Sequence, residues 1–214
     1  WISHYRFSAK IDRWLLAQSA SSRVVHSHER QRSHHVTTFH TTPFNHGRRK
    51  TFIHRISPRH LLFEKLEKRE LMGPSARAIV PVSSNLGKAL LQKHPEAEPL
   101  LRSPIFPGVS FGEEIGGARK EVEPDGGTIG FMGKEWERKG LPKVIEVWRE
   151  LKKERPRLKL RIAGVRPEEV AHLVQPEEPG VEILGWMDDK ASFYQSIDLL
   201  LHPANKEAFG MIIA

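Results

Sequence analysis

The sequence predicts an α/β protein of two doubly wound domains, both incomplete. Short β-rich apolar runs alternate with amphipathic helical segments in both halves, which is typical of parallel sheets covered by helices. Between the halves lies a stretch rich in Gly, Glu, Pro and Asp that has too few large apolar residues to form a core. We therefore expect a first domain at residues 1–109, a linker at 110–127 and a second domain at 128–214.

The charge distribution supports this division. Residues 1–110 carry 18 Lys and Arg against 7 Asp and Glu, whereas residues 111–214 carry 16 against 19, for a net charge of +8 over the chain. A basic first half suits an anionic partner such as a phosphorylated glycan, lipid headgroups or nucleic acid. The alternative is a basic surface that is simply solvated.

Composition excludes some classes of protein. The chain has no cysteine, so disulfides and thiolate metal sites are ruled out, which suits a reducing compartment but also fits others. No apolar run approaches the roughly 20 residues of a membrane-spanning helix. The first residue is Trp1 rather than Met, and we expect the chain to be an internal piece of a longer protein.

The first half begins with a predicted amphipathic helix that carries Ile11, Trp14 and Leu15 on one face. Two β-rich runs follow, at 24–28 and 36–40, and each ends on a histidine. Parallel strands with this pattern open their carboxyl ends onto one cleft. His40 is therefore a candidate for a polar or proton-handling role there.

The histidines of this region raise the question of a zinc site. Nine of the twelve histidines in the chain precede residue 61, but no cysteine or suitably spaced carboxylate accompanies them. A metal site is therefore disfavoured. The histidines concerned are His26, His28, His34, His35 and His40.

The remainder of the first half predicts a basic loop, two helices and two strands. The loop at 45–59 would face an acidic acceptor or a membrane surface, or be solvated. A surface helix at 62–71 follows, then a buried strand at 78–83, a helix capped by Ser84, and a last short strand at 104–109.

The second half begins with a strand at 128–133 that closes on glycine. After it come Lys134, Arg138 and Lys139, and then an amphipathic helix whose apolar face includes Leu141, Val144, Ile145, Trp148 and Leu151. A cation at the mouth of such a strand–loop–helix unit lies where a diphosphate would need one.

Three further strands are predicted, at 158–164, 181–185 and 198–202. Asp188 is expected to cap the helix between the last two, and a final helix is expected to begin near Glu207. The free amides at its amino end would favour phosphate, and the carboxylate would bind sugar hydroxyls. The sequence thus predicts a site for a phosphorylated sugar.

The second half resembles the donor domain of retaining glycosyltransferases of family 4, which have the GT-B fold of two Rossmann-like domains. The resemblance rests on the order of short motifs at 133–140, 160–164, 183–186, 194–198, 202–204 and 207–210. The first half is similar more loosely, at 25–28, 38–41, 80–83 and 107–109.

The resemblance implies roles for particular residues. Lys139 and Arg138 would hold the nucleotide diphosphate, Glu207 would contact the transferred sugar, and His40 would lie against that sugar near the reacting carbon. Catalytic candidates are thus His40, Lys139 and Glu207, and no metal is expected. The candidates for binding the donor are Lys134, Arg138, Lys139, Gly164, Glu207, Phe209, Gly210 and Met211.

The implied activity is transfer of a sugar from a nucleotide diphosphate, with a UDP-sugar as first choice, to a hydroxyl of a glycan or glycolipid acceptor with retention of configuration. The nucleotide sugar is a co-substrate, and no separate cofactor is expected. Bacterial enzymes of lipopolysaccharide and other cell-envelope glycans have a similar first half. This implies a cytoplasmic enzyme with peripheral contact to the anionic inner face of the membrane, and no nucleic-acid partner.

Other readings stay open. The basic first half alone is compatible with a nucleic-acid- or polyanion-binding module, although few aromatic residues alternate with its Arg and Lys. A non-catalytic GT-B relative, a phosphorylase and an epimerase are further alternatives. The family's second glutamate would fall at position 215, and its first strand and glycine-rich turn would precede Trp1. We therefore expect residues 1–214 alone to be inactive and to bind donor weakly.

Overall fold

The computed structural model describes two compact α/β units. The described residues are 2–18, 23–44, 57–109, 121–175 and 177–214. The first unit comprises Trp1–Gly108 and Glu207–Phe209, and the second Val109–Lys206 and Gly210–Ala214. Most of the basic loop predicted at 45–59, and most of the linker predicted at 110–127, lies outside the described residues.

The first unit is built on a three-stranded parallel sheet of order β1-β2-β3. Its elements are α1 (Ile2–Ala17), β1 (His26–Ser27), β2 (Val36–Phe39), α2 (Pro58–Leu71), β3 (Ala78–Pro81) and α3 (Ser84–Lys93). The parallel pairing of β1 and β2 is as predicted, but β1 ends at Ser27 and β2 at Phe39, in each case one residue before the histidine. Phe39, Leu71, Ile79 and Leu90 meet in the core on this sheet.

The amino-terminal helix forms, but it buries a different face from the predicted one. Trp14 is 57% exposed, whereas Ser8 and Asp12 are buried. The Asp12 carboxylate accepts hydrogen bonds from the backbone N–H groups of Arg32 and Ser33, both at 3.0 Å. It also accepts one from the Arg69 guanidinium at 2.6 Å. Polar contacts with distant residues therefore orient this helix, and the apolar pattern does not.

Two predictions in the first unit were wrong, the cap of a helix and the presence of a strand. The helix α3 is capped by Ser83, whose hydroxyl accepts from the Leu86 N–H, and Ser84 is its first residue. Residues 104–109 form no strand. Pro104 and Pro107 have no N–H to donate, so a regular ladder cannot form there. Ile105 does donate one hydrogen bond to the Pro81 carbonyl.

The second unit has a four-stranded parallel sheet of order β6-β5-β4-β7. Its elements are β4 (Thr128–Met132), α4 (Trp136–Lys139), α5 (Leu141–Glu154), β5 (Lys159–Ala163), α6 (Pro167–Val170), β6 (Val181–Gly185), α7 (Lys190–Gln195) and β7 (Leu199–Leu200). Successive strands are added on one side of β4 and then, at β7, on its other side. The sheet is therefore doubly wound, and its strand order reverses between β4 and β7.

Helix α5 covers this sheet with the predicted face. Leu141, Val144, Ile145 and Trp148 are buried, and the Trp148 indole donates to the Leu158 carbonyl at 3.3 Å. Leu151, predicted on the same face, is 38% exposed because it lies in the last turn. Each large side chain buried here contributes about 1.5–3 kcal/mol to folding.

Two predictions near the end of the chain were also wrong. Asp189 rather than Asp188 caps α7 and accepts from the Ser192 N–H, while Asp188 accepts from the Trp186 indole. No helix begins near Glu207. Gly210 has a φ of 90°, which an α-helix cannot continue through, and one turn follows it. Within the described ranges, no helix is long and apolar enough to span a bilayer.

Candidate functional site

The carboxyl ends of β4 and β7 form the candidate ligand site of the second unit. In open α/β sheets, ligands bind in the crevice where the strand order reverses, beyond the carboxyl ends of the strands. The loop from Gly133 to α4 follows β4, and the segment containing Pro203 follows β7. Asn205 donates its backbone N–H to the Arg138 carbonyl at 3.1 Å, which joins the two segments.

Lys139 is placed at this edge by its packing on glycine. A Cβ added at Gly133 would lie 3.2 Å from Cγ of Lys139 and 3.6 Å from its Cβ. The stem of the lysine therefore lies across the backbone at the end of β4. Lys139 also immediately precedes Gly140, the N-cap of the 14-residue helix α5. A lysine and a helix amino end beside one strand are the two features that favour bound phosphate.

Gly140 and Gly164 allow backbone segments at this edge of the sheet to pack closely together. Gly140 has a φ of 87°, and a Cβ there would lie 2.4 Å from the Pro203 carbonyl oxygen. Gly164, at the end of β5, has a φ of 82°, and its added Cβ would lie 3.2 Å from the Gly133 backbone. Both positions combine the left-handed conformation with a close backbone contact, so a side chain would be strained at either.

Arg138, the neighbour of Lys139 in the short helix α4, has different contacts. Its guanidinium pairs with the Glu135 carboxylate at 2.5 and 2.8 Å and donates to the Lys206 carbonyl at 2.5 Å. Arg138 and Lys139 thus both lie in α4, which follows β4. To bind a phosphate, Arg138 would have to leave or share its contact with Glu135.

The other predicted donor-binding residues are spread over both units. Lys134 follows Gly133; hydrogen bonds from Arg166 are the main cause of the lowered pKa of Glu169, and the charge of Lys134 adds to them. Gly210 and Met211 belong to the second unit. Glu207 and Phe209 belong to the first unit. The helix amino end expected to present the amides of 209–211 is absent, and the shared pocket of Lys139 and Glu207 stays a prediction.

His40 lines a cavity of about 250 Å³ in the first unit. Its Nδ1 lies 3.1 Å from the Thr38 carbonyl oxygen, so Nδ1 carries the proton and donates it. In the neutral ring Nε2 is then the acceptor. The ring of His28 lies 6.1 Å from that of His40 and 4.6 Å from that of His26.

The sequence did not identify the carboxyl group at the wall of this cavity, that of Glu70. Glu70 is only 4% exposed, and burial raises its pKa to about 7 despite a hydrogen bond from Thr37. Helix α2 was predicted as a surface helix, yet both Glu67 and Glu70 are buried on it. The available signal was their position directly beside Leu66 and Leu71, on the apolar face of the helix.

Glu70 makes the stability of the protein depend on pH. Its carboxyl binds a proton more tightly in the folded state, with a pKa of about 7, than in the unfolded state, where the value is near 4.5. The free energy of unfolding should therefore fall as pH rises from the lower value through the higher one, by about 3 kcal/mol from this group. Urea unfolding across this range should show the fall in the wild type and a shallower one in Glu70→Gln. Parallel slopes in the two proteins would contradict this result.

The histidines do not form a metal site in the part of the chain that the structure describes. There, no group of three His, Cys, Asp or Glu side chains is arranged to hold a metal ion. His34 is fully buried, and burial lowers the pKa of its imidazole.

Comparison with known proteins gives a family match for the second unit. Residues 126–214, less than half of the chain, match the family model described as Glycosyl transferases group 1. No curated protein matches the chain in sequence.

Solved structures show the fold of the whole chain. WaaG, a glycosyltransferase involved in lipopolysaccharide biosynthesis, matches 96% of the chain with a TM-score of 0.72 and 18% identity. TarM matches 86% with a TM-score of 0.58 and 13% identity. HepE from Anabaena, solved with UDP and glucose, matches 83% with a TM-score of 0.53 and 18% identity. The chain spans 59%, 34% and 48% of these proteins. The chain therefore has the α/β fold of GT-B glycosyltransferases, as predicted.

Proposed function

We propose that the protein is a retaining glycosyltransferase that takes a sugar from a UDP-sugar and transfers it to a hydroxyl of a cell-envelope glycan or glycolipid. The observation that carries the proposal is the position of Lys139 on Gly133, at the reversal of strand order in the unit that matches the glycosyltransferase model. WaaG, whose fold the chain shares, is a glycosyltransferase involved in lipopolysaccharide biosynthesis.

The chemistry of sugar transfer explains why a cation is needed at this place. The diphosphate gains negative charge as the bond to the sugar breaks, while the sugar becomes cation-like. Lys139 and the amino end of α5 would stabilise the departing diphosphate because both are already fixed in the fold. Glu207 would hold the transferred sugar, and His40 would lie against it from the first unit. Contact of the basic first half with an anionic membrane belongs to the same proposal.

Titration with nucleotides tests this function without requiring turnover. UDP, UMP, GDP and ADP would be titrated into the chain by calorimetry, together with a single-stranded oligonucleotide at two salt concentrations. We expect UDP to bind at least about tenfold more tightly than UMP, because the second phosphate adds hydrogen bonds to charged groups. Equal affinity for UDP and UMP would contradict the proposal. Salt-sensitive binding of the oligonucleotide, tighter than that of UDP, would favour a polyanion-binding module.

A further inference from the structure

The cavity of the first unit has a chemistry distinct from that of the phosphate-binding edge. It lies between α1, the residues after β1, the end of β2, and α2. Hydroxyls, imidazoles and a buried carboxyl line it, and Phe7, which is 56% exposed, provides an apolar side. At about 250 Å³ it has the volume of roughly eight waters in the liquid, which is enough for one small ring.

Charge in the cavity disfavours an anion. Its one arginine, Arg30, has its guanidinium nitrogens 3.8 Å from the carboxylate of Glu67 and 3.9 Å from that of Glu70. The same guanidinium lies over the ring of Phe63, 5.2 Å from its centre. The cation thus already lies within 4 Å of two acidic side chains. A ligand with hydroxyls and a C–H face matches the remaining groups better than a phosphate or carboxylate does.

Glu70 has the geometry to hold such a ligand. Its Oε1 accepts from the Thr37 hydroxyl at 2.9 Å, whereas Oε2 lies 3.9 Å from Nε of Arg30, beyond hydrogen-bond distance. Two carboxylate oxygens can accept about four hydrogen bonds. A ligand hydroxyl in the cavity would therefore donate to Oε2 of Glu70, whose carboxyl group is held in place by the hydrogen bond from Thr37.

We propose that this cavity binds an uncharged sugar ring, and that Glu70 accepts a hydrogen bond from one of its hydroxyls. The sugar would lie between Phe7 and the histidine side of the cavity, with His40 at the mouth. In one respect the inference rests on the proposed function: within a glycosyltransferase, this sugar would be part of the acceptor. The binding of a sugar by the cavity does not itself depend on that function.

The experiment is a calorimetric titration of the chain with methyl glycosides of glucose, mannose and N-acetylglucosamine. Glucuronate and inorganic phosphate serve as anionic probes. The test variant is Glu70→Gln, which keeps the size of the side chain and an oxygen for Thr37. The control is Glu64→Gln, the same change on the same helix at a residue that does not line the cavity. Thermal unfolding confirms that each variant is folded.

We expect at least one methyl glycoside to bind, Glu70→Gln to bind it about tenfold more weakly, and Glu64→Gln to bind it as the wild type does. Tighter binding of glucuronate or phosphate than of any glycoside would overturn the inference. Unchanged affinity in folded Glu70→Gln, or no glycoside binding at all, would also overturn it.

The pH profile separates Glu70 from its titratable neighbours. Those facing it are His4 from α1, Glu29, Arg30 and His28 after β1, His40 after β2, and Glu67 on its own helix. Glycoside affinity in the wild type should rise with pH through about 7, as the carboxylate forms, and this rise should be absent from Glu70→Gln. Identical profiles would overturn the role of Glu70.

UDP titrated into the same samples distinguishes the two proposals. If a glycoside binds in a Glu70-dependent way and UDP binds no more tightly than UMP, the sugar site stands and the proposed transferase function fails. If UDP binds and no glycoside does, the sugar site fails and the transferase function stands.

Discussion

Replacing Lys139 with alanine is expected to weaken UDP binding about ten- to hundredfold, because a hydrogen bond between charged groups contributes about 1.5–3 kcal/mol. The lysine stem lies across Gly133 at the end of β4, so the ammonium group is held near the proposed diphosphate site. Titration calorimetry of the wild type and Lys139→Ala measures the difference. Lys139→Arg should recover part of the affinity, because arginine keeps the positive charge but carries it on a planar guanidinium group of different shape.

Lys153→Ala is the matched control for this experiment. Lys153 lies in the last turn of α5, where it pairs with Glu150 at 2.7 Å. The helix has 14 residues and is therefore about 21 Å long, which places Lys153 at the opposite edge of the sheet from Lys139. Its replacement should leave UDP affinity unchanged. Wild-type affinity in folded Lys139→Ala would remove Lys139 from the binding site.

Replacing Glu67 with alanine is expected to destabilise the first unit by about 3–5 kcal/mol, since it leaves buried charged partners without their counter-charge. Glu67 is fully buried and accepts from the Phe44 N–H at 2.6 Å, Lys93 at 2.5 Å and His94 at 2.9 Å. Burial opposes its ionisation, but these hydrogen bonds outweigh burial and hold the pKa of Glu67 below its usual range. The His94 pKa is raised chiefly by its bond to Glu67.

Urea unfolding measures this loss, and Glu64→Ala is its control on the same helix. The Glu64 side chain is 33% exposed and pairs with Lys93 at 3.1 Å, so its removal should cost less than about 1 kcal/mol. A similarly small loss in Glu67→Ala would show that the buried network contributes little to the stability of this unit.

Sequence periodicity predicted the architecture. The apolar residues at 141, 144, 145 and 148 repeat with the period of a helix, and they are the buried face of α5. A strand that closes on Gly133 and a cation six positions later were also recognised in the sequence, and Lys139 packs on Gly133 in the structure. These features are local, because each depends on residues that are near one another in the chain.

The parts that the sequence could not predict depend on distant partners. The contact of Glu70 with Thr37 spans 33 positions, and that of Glu67 with His94 spans 27, so periodicity along one helix does not reveal them. The two displaced caps involve neighbouring residues of equal capping ability, Ser83 beside Ser84 and Asp189 beside Asp188. The helix expected at Glu207 is absent, and the φ of 90° at Gly210 is incompatible with a helix through that residue.

The structure of the chain bound to UDP tests the central claim most directly. We predict that the diphosphate lies beyond the carboxyl ends of β4 and β7, with a phosphate oxygen about 3 Å from Nζ of Lys139 and close to the amino end of α5. UDP bound at any other surface, with Lys139 directed away from its phosphates, would contradict the proposed function.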